Sequence, residues 1–405
     1  MAELYSLPDG WEWKTLSDIF NIERGGSPRP IKDYITYDED GINWIKISDA
    51  TKGDGKYIES TEQKIKPSGL KNTRLVVDGD FIMSNSMSFG KPYIVKTKGA
   101  IHDGWLLMRE KIEKTDKDFF YYLLSSNYMY EQFSSKASGT TVKNLNIDMV
   151  KTTNIPLPPF EEQKRIVAKL DILFEKIDKA IALHQKNIDE ADIFMASVLN
   201  DVFAELEEKY KKRTIGSFSK VGTGATPLKN RNDFYENGNI NWITSKATND
   251  DYVYESEQLI TEIALNECRL KINPIGTIIV ALYGQGKTRG QVSELMIESS
   301  TNQALATIIV DENESINTYL KYFLKKSYFD IREKASGGTQ PNLNLSIIKN
   351  IELSLPPLQI QQKVVAYLDE ISNKMEKIKQ IQKEKMQSLK ALKASILDKA
   401  FKGEL

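Results

Sequence analysis

Two long segments of the chain place apolar residues every three or four positions, the pattern of a helix that buries one face. In the first segment, steps of four and three alternate as along a coiled-coil seam, with one extra residue between His184 and Ile188. Its seam positions are Ile166, Leu170, Leu173, Ile177, Ala180, His184, Ile188, Ala191, Met195, Val198 and Val202. The second segment repeats the pattern at Val364, Leu368, Ile371, Met375, Ile378, Gln382, Met386, Leu389, Ile396 and Ala400, and Lys393 breaks it.

The ends of both segments carry residues that favour helix termini. The prolines at 158–159 and 356–357 suit a first helical turn, and no Gly or Pro follows within 160–210 or 358–402. Gly403 supplies a stop signal. The pattern therefore predicts two helices of about 50 residues, each about 75 Å long.

Short apolar runs separated by turn residues fill the rest of the chain and favour strands, for example at 43–47, 81–83, 277–282 and 306–310. The predicted fold class is α+β, with two mixed α/β domains that are each followed by a long helix. We predict that the two helices pair as an antiparallel coiled coil with pseudo-two-fold symmetry. The predicted parts are a first domain (1–155), a central helix (156–210), a second domain (211–353) and a C-terminal helix (354–405).

The chain is a tandem repeat with an offset of 198 residues. Five separate blocks recur at this offset, which makes a chance match untenable. The blocks are Asn43-Trp44-Ile45 with Asn241-Trp242-Ile243, Lys136 to Gly139 with Lys334 to Gly337, Asn144-Leu145-Asn146 with Asn342-Leu343-Asn344, Leu157-Pro158-Pro159 with Leu355-Pro356-Pro357, and Val167-Ala168 and Leu170-Asp171 with Val365-Ala366 and Leu368-Asp369.

Charge favours pairing of the two helices with each other over packing of each helix on its own domain alone. Residues 156–210 hold 7 basic and 12 acidic groups, and residues 356–405 hold 10 and 6, so the segments have opposite net charge. The whole chain has a net charge of −1, which by itself does not indicate a nucleic-acid partner.

Composition narrows the class of protein. With one cysteine, Cys268, and two histidines, an intramolecular disulfide and a protein-built zinc site are both disfavoured. No run approaches the roughly 20 apolar residues of a membrane span, and the N-terminus lacks the pattern of an export signal. We expect a cytoplasmic protein without a cofactor.

Two domains that share a framework but differ through most of 52–135 and 250–333 are expected to recognise different things. Duplex DNA has two-fold symmetry of its own, and half-sites one helical turn apart face the same side. The predicted architecture therefore suits an asymmetric DNA target with two half-sites and a fixed gap.

The sequence resembles the specificity subunits of type I restriction-modification systems over essentially its whole length. The residues that carry the resemblance are Leu7 to Leu16 (LPDGWEWKTL), the block from Ser138 to Asn146, the Leu-Pro-Pro entry to each helix with Glu-Gln-Lys-Arg at 162–165, and the ending from Ser395 to Leu405. The resemblance implies two target-recognition domains that each read half of a bipartite DNA site. It also implies a non-catalytic chain whose partners are double-stranded DNA, two methyltransferase subunits and restriction subunits, which hold the adenine methyltransferase and endonuclease activities.

Candidate DNA-contacting residues lie in polar loops beside the repeated blocks, since phosphates and base edges accept lysine, hydroxyl and amide groups. An ordinary structural role stays open for each of them. In the first copy they are Lys46, Ser48, Asp49, Lys91, Lys136, Ser138, Thr140, Thr141 and Asn144, and in the second copy they are Ser245, Lys246, Thr248, Lys287, Arg289, Lys334, Ser336, Thr339, Gln340 and Asn342.

Two motifs suggest enzymes but lack a residue that the chemistry needs. Gly284 to Thr288 superficially suggests a phosphate-binding loop of an ATP-dependent enzyme, but Ala281 stands where its first glycine belongs. Leu157-Pro158-Pro159-Phe160 lacks the Asn or Asp of an amino-methyltransferase signature and marks a helix start instead. Besides the ATP-dependent enzyme, a subunit of a modification-only or type II-like system and a coiled-coil scaffold that binds only proteins stay open as functions.

His184 and Gln382 are equivalent in the repeat and interrupt the seam near the middle of each helix. Equivalent residues of an antiparallel pair meet only where a pseudo-dyad crosses it, so we predict that these two lie close together and help to specify register.

Insertion of one helical turn, about four residues or ~6 Å, at equivalent positions in both long helices is expected to lengthen the gap between the half-sites. The reason is that no other predicted element is long enough to set this distance. Mapping of methylated adenines in host DNA measures the gap, and an unchanged gap with full activity would contradict the prediction.

Overall fold

The computed structural model describes residues 5–50, 55–86, 89–112, 115–137, 144–284, 286–335 and 342–405. The chain divides into two compact units. Unit 1 combines residues 1–184 with 383–405, and unit 2 comprises residues 185–382. Each unit therefore holds one mixed domain and one part of each long helix.

The domain of unit 1 is built from short strands and helices. Its strands are β1 (Glu12–Thr15), β2 (Phe20–Arg24), β3 (Ile35–Thr36), β4 (Ile42–Ile45), β5 (Tyr57–Ile58), β6 (Gln63–Ile65), β7 (Arg74–Val76), β8 (Phe81–Ser84), β9 (Pro92–Val95), β10 (Gly99–Ile101), β11 (Trp105–Glu110) and β12 (Asn154–Leu157). Its helices are α1 (Leu16–Ile19), α2 (Ile47–Ala50), α3 (Lys117–Leu124), α4 (Asn127–Lys136) and α5 (Ile147–Lys151). In the described residues the strands form five-stranded sheets β2-β11-β8-β9-β5 and β3-β6-β4-β10-β7 and the pair β1-β12.

The domain of unit 2 repeats this plan. Its strands are β13 (Lys212–Thr214), β14 (Ser219–Thr223), β15 (Ile240–Ile243), β16 (Tyr252–Val253), β17 (Gln258–Ile260), β18 (Ile278–Ala281), β19 (Val292–Leu295), β20 (Ser300–Thr301), β21 (Leu305–Val310) and β22 (Glu352–Ser354). Its helices, which follow the first long helix α6 (Phe160–Lys209) along the chain, are α7 (Ile215–Phe218), α8 (Glu262–Glu267), α9 (Asn317–Lys326), α10 (Tyr328–Glu333) and α11 (Leu345–Lys349). The described strands form the sheets β14-β21-β18-β19-β16 and β17-β15-β20 and the pair β13-β22.

Both predicted long helices are present, with 50 residues in the first and 44 in the second. The first, α6, begins directly after the proline pair at 158–159, and the second, α12 (Leu358–Phe401), ends just before Gly403. Gly403 has a φ of 74°, and its N–H donates to Ala400 while the N–H of Glu404 donates to Lys399 at 3.0 Å. This is a Schellman motif, which requires the left-handed backbone that glycine adopts without a steric penalty.

Within each unit the two helices run antiparallel. In unit 1 the Arg165 guanidinium donates to the carbonyl of Leu405, and Lys393 Nζ lies 2.8 Å from Asp178. In unit 2 Lys379 pairs with Asp192 at 2.9 Å. Lys393, which interrupts the apolar seam, therefore contacts the other helix as an ion-pair partner.

In unit 2, Asn187 donates to the Gln382 side chain at 3.4 Å, which brings the two helices together beside the middle of the seam. Gln382 thus has a partner on the first helix. The pairing of His184 with Gln382 stays a prediction.

Each domain core includes residues of both long helices. In unit 1 the core contains Ile166 and Leu170 from α6 together with Phe401 from α12, and in unit 2 it contains Phe203 from α6 and Leu368 from α12. On the sequence alone, packing of each helix on its own domain and pairing of the two helices were alternatives. The structure contains both arrangements. The buried face is consequently wider than the predicted seam and adds Val167, Phe174, Leu199, Phe203 and Leu206.

A buried glutamine near the start of each long helix fixes that helix to its domain. Gln163 accepts from the N–H of Asp116 and donates to the carbonyl of Pro158. Gln361 accepts from the N–H of Ile316 and donates to the carbonyl of Pro356. Since both amides are almost completely buried, loss of either would leave backbone groups without partners.

Unit 2 contains a buried ion pair beneath its larger sheet. Lys321 Nζ lies 3.0 Å from Glu294 and 3.3 Å from the ring centroid of Tyr252, and the lysine side chain is 1% exposed. Burial lowers the pKa of Lys321 more than the neighbouring carboxylates raise it. Strand register places Ile94 of unit 1 at the position of Glu294, so the same scaffold also accepts an aliphatic residue there.

Replacement of Lys321 by methionine is expected to destabilise the protein by about 3–5 kcal/mol, because it leaves the Glu294 carboxylate buried without its cation. The double variant Glu294→Ile/Lys321→Met is expected to recover most of this loss, since it leaves no unpaired charge. Denaturant unfolding of the three proteins measures the difference. A double variant no more stable than the single one would contradict this account.

Candidate nucleic-acid interface

A glycine-rich loop with an exposed lysine follows β18 in unit 2. Gly286 (φ 63°) and Gly290 (φ 85°) adopt backbone conformations that other residues rarely take. The Arg332 guanidinium donates to the carbonyl of Gly286 at 2.9 Å, and the Tyr328 hydroxyl donates to that of Lys287 at 2.6 Å. The loop is thus held through its carbonyls while the Lys287 side chain faces solvent.

The corresponding loop of unit 1 is three residues shorter. The N–H of Gly90 donates to the carbonyl of Ser84, and that of Gly290 donates to Ala281, so the two glycines are equivalent. Lys91 therefore occupies the position of Gln291 and is not the counterpart of Lys287. Its side chain is exposed, with Nζ 5.1 Å from the ring centroid of Tyr93.

Arg289, another predicted contact residue, helps to build the loop itself. Its carbonyl accepts from Arg332 at 2.5 Å, and its side chain is only partly exposed. Arg289 therefore offers less free surface to a partner than Lys287 does.

The repeated Asn-Leu-Asn blocks lie beside these loops. The N–H of Leu145 donates to Asn85 at 2.8 Å, and that of Leu343 donates to Leu282 at 2.8 Å. In each block the leucine is buried and the final asparagine caps the following short helix, α5 or α11. The first asparagines, Asn144 and Asn342, are exposed next to the glycine loops.

Six predicted contact residues precede these blocks in the chain. Ser138, Thr140, Thr141, Ser336, Thr339 and Gln340 lie outside the described residues. Their contact with DNA stays a prediction.

Lys136 at the end of α4 and Lys334 directly after α10 are equivalent in the repeat, but their environments differ. Lys136 Nζ donates to the hydroxyls of Thr152 and Thr153 and to the carbonyl of Met149, at 3.0–3.2 Å. Burial lowers the pKa of Lys136, and these acceptors fix α4 to α5. Lys334, in contrast, is exposed.

The polar residues after Trp44 form a tight turn. Asp49 is buried and accepts from the N–H of Lys46 at 2.9 Å and from that of Glu62 at 3.3 Å. Lys46 Nζ lies 3.6 Å from the Glu62 carboxylate, and Ser48 is exposed. The structure thus gives Asp49 the function of fixing the turn, and Lys46 and Ser48 face outward from it.

The same turn of unit 2 is more acidic. Thr248 is buried and donates to the carbonyl of Ser245 at 2.7 Å, which again fixes the turn. Lys246 is exposed but pairs with Glu257 at 2.6 Å. Lys246 lines a cleft together with Asp250 and Glu255. The carboxylates of this cleft repel a phosphate more than the paired lysine attracts one.

The structure brings Lys287 and Asn342 to one edge of unit 2, and Lys91 and Asn144 to one edge of unit 1, through the hydrogen bonds just described. Sequence reasoning missed Tyr328 and Arg332, which hold the unit 2 loop from α10. Their spacing of four residues, which places both on one helix face, is the signal that could have found them.

The described residues contain no group of three or more His, Cys, Asp or Glu side chains arranged to hold a metal ion. Among the same residues, no helix is long and apolar enough to cross a membrane.

The profile of one protein family, described as the type I restriction modification DNA specificity domain, matches residues 8–191 and 207–385. The chain belongs to this family. The two matches contain most of both copies of the repeat, so each copy is a DNA specificity domain.

Curated relatives include specificity subunits that match over the whole chain or over about half of it. The type I restriction enzyme MjaIX specificity subunit of Methanocaldococcus jannaschii is 25% identical over 100% of this chain and 95% of its own. The EcoR124I/EcoR124II specificity subunit of Escherichia coli is 26% identical over 53% of this chain and 54% of its own.

Solved structures show the same fold. A chain from a study of complex assembly and conformational transition of the type I restriction-modification system has a TM-score of 0.74, with 23% identity over 99% of this chain and 100% of that one. The HsdS subunit from Thermoanaerobacter tengcongensis has a TM-score of 0.53, with 23% identity over 99% of both chains.

The substitution Lys287→Ala is expected to weaken DNA binding equally for all sequences and to lower the slope of log affinity against log salt by about 1, since one phosphate contact is lost. Fluorescence anisotropy with labelled duplex at several salt concentrations measures both effects. Lys220→Ala, which removes an exposed lysine from β14 of the same unit, is the control. Equal slopes for Lys287→Ala and the unmodified protein would contradict the prediction, and ATP binding by the unmodified protein would favour an ATP-dependent enzyme.

Proposed function

We propose that this chain reads an asymmetric, bipartite DNA target for a type I restriction-modification complex, with one half-site recognised by each unit. The proposal further assigns residues 1–155 and 211–353 as the two target-recognition domains and the long helices as the spacer. Five exposed members of the predicted contact set, Lys91 and Asn144 in unit 1 and Lys287, Lys334 and Asn342 in unit 2, are proposed to contact DNA.

One observation carries the proposal: the two units share their internal anchors but differ in what they expose. Leu145 and Leu343 donate equivalent backbone hydrogen bonds in the two units. The side chains of Gln163 and Gln361 also accept equivalent hydrogen bonds from the backbone of their domains. The loop beside them is longer in unit 2 and places Lys287 at its tip. A shared scaffold with different exposed chemistry suits two readers of different half-sites.

The long helices also present apolar side chains that neither the seam nor the domain cores cover. Such residues on an otherwise polar helix are typical of a protein interface. We propose that methyltransferase subunits dock there and that restriction subunits join the assembly. The exposed apolar residues are Ile172, Leu183 and Leu392 in unit 1 and Ile193, Phe194, Tyr367 and Ile381 in unit 2.

The chain is proposed to contribute recognition without catalysis, so that methyl transfer and cleavage occur in its partners. Its membership in a DNA specificity family supports this division of labour. Reading of the target then determines where the partner enzymes act, because they are positioned on the same helices that carry the two readers.

Exchange of residues 1–155 for the equivalent segment of another specificity subunit is expected to change one half of the methylated target and to leave the other half and the gap unchanged. The reason is that unit 2 and the contacts between the two long helices lie outside the exchanged segment. Mapping of methylated adenines in host DNA, with the gene present, exchanged or deleted, measures the outcome.

The reciprocal exchange of residues 211–353 is the matched control and is expected to change only the other half. If both halves changed together in either exchange, the assignment of one reader to each unit would be wrong. A chain that binds methyltransferase but no duplex would favour a scaffold that binds only proteins.

A further inference from the structure

Each unit holds one turn against the end of one strand by the same backbone hydrogen bond. Strands β10 of unit 1 and β20 of unit 2 pair in parallel with the tryptophan-bearing strands β4 and β15, and His102 and Asn302 are the residues that follow them. The N–H of Gly26 donates to the last residue of β10 at 3.2 Å, and the N–H of Ala225 donates to the last residue of β20 at 3.1 Å. These bonds make the two turns equivalent residue by residue.

A side-chain hydrogen bond anchors each turn in the same way. The Ser27 hydroxyl donates to the Asp103 carboxylate at 2.9 Å. In unit 2 the Thr226 hydroxyl donates to the side-chain oxygen of Gln303. The anchor is therefore kept although the acceptor changes from a carboxylate to an amide.

His102 and Asn302, which follow β10 and β20, are oriented by equivalent hydrogen bonds. Nδ1 of His102 accepts from the N–H of Gly104 at 2.8 Å, and Oδ1 of Asn302 accepts from the N–H of Ala304 at 3.1 Å. Burial lowers the pKa of His102, so the ring is neutral at pH 7 and carries its proton on Nε2. The acceptor atom of each side chain is thus used by a hydrogen bond within its own domain. The donor group, Nε2–H of His102 or the amide NH₂ of Asn302, lies on the opposite side of the side chain.

The exposed tips of the turns differ in chemistry. The Arg29 side chain is 81% exposed, and its guanidinium lies 3.5 Å from the Asp103 carboxylate. The equivalent residue of unit 2 is Leu228, which is 64% exposed. An ion pair this exposed is weak, so Arg29 can exchange Asp103 for another acceptor at little cost.

In unit 1 the turn and His102 border a groove with an apolar floor and polar edges. Trp44 and Ile47 contribute to the floor, and Lys46 and Ser48, two of the predicted contact residues, contribute to the edge. The groove therefore combines apolar surface with hydrogen-bond donors, which is the chemistry that base edges require.

We propose that these turns are base-reading elements, and that Arg29 and His102 recognise a guanine in one half-site while Leu228 and Asn302 recognise an A·T pair at the equivalent place of the other. Guanine presents two acceptors to the arginine fork, whereas asparagine pairs with adenine and an apolar side chain contacts the thymine methyl group. The inference rests on the proposed DNA-reading function. It goes beyond that function because it names the residues and the bases.

The test is the double exchange Arg29→Leu/His102→Asn, which gives unit 1 the exposed groups of unit 2 on an unchanged scaffold. The full chain is assembled with its methyltransferase, and bound sequences are selected from a randomised duplex. The preference for guanine at one position of one half-site is expected to fall by roughly 10- to 100-fold, with A·T favoured instead. The other half-site and the gap are expected to stay the same.

Two matched variants accompany it. Lys98→Leu removes the same charge from an exposed site of unit 1 outside the groove and is expected to leave the motif unchanged. Leu228→Arg/Asn302→His is expected to change only the other half-site. If the first double variant fails to fold, Arg29→Lys keeps the charge but removes the fork, and it is expected to relax discrimination at the same guanine.

An unchanged motif in the folded double variant, or in Arg29→Lys, would overturn the proposal. Uniform weakening for all sequences would also overturn it, because the turns would then contact only phosphates. In both cases the unmodified chain still selects a motif. Failure of the unmodified complex to select any motif would instead refute the DNA-reading function itself.

Discussion

Burial of the long helices in the domain cores is the interaction on which the rest of the structure depends. Neither domain completes its core alone, because α6 and α12 each contribute side chains to both cores. A helix of about 50 residues is stable only when most of its apolar stripe is covered along its length. The chain meets this requirement by giving each unit one part of each helix, so that the mixed domains and the long helices fold together.

This arrangement explains why the two copies can diverge outside the shared core. The anchors that face the core, such as Gln163 and Gln361, are retained in both units. Even at one buried strand position the scaffold tolerates an aliphatic residue, Ile94, in unit 1 and half of an ion pair, Glu294, in unit 2. Surface turns differ more freely still, since their backbones are fixed from beneath and their side chains carry little of the folding energy.

The apolar periodicity and the 198-residue repeat were sufficient to predict the two long helices and the duplicated α+β architecture, and the resemblance of separate short motifs indicated the family. They succeeded because a long amphipathic helix and its proline and glycine boundaries are determined by local sequence. The site was harder to predict. Residues chosen for their polarity included Asp49, Thr248 and Lys136, whose side chains bond within their own domain, and nothing in their local sequence distinguishes them from Ser48 or Lys334.

What the sequence determined by itself was the periodic part of the molecule: which segments are helical, which face of each is apolar, and that the unit occurs twice. Only the tertiary structure decided which polar groups face outward. The equivalence of His102 with Asn302, and of Arg29 with Leu228, follows from strand register and from hydrogen bonds between residues about 75 positions apart. Such pairings depend on long-range chain contacts, which leave no period in the sequence.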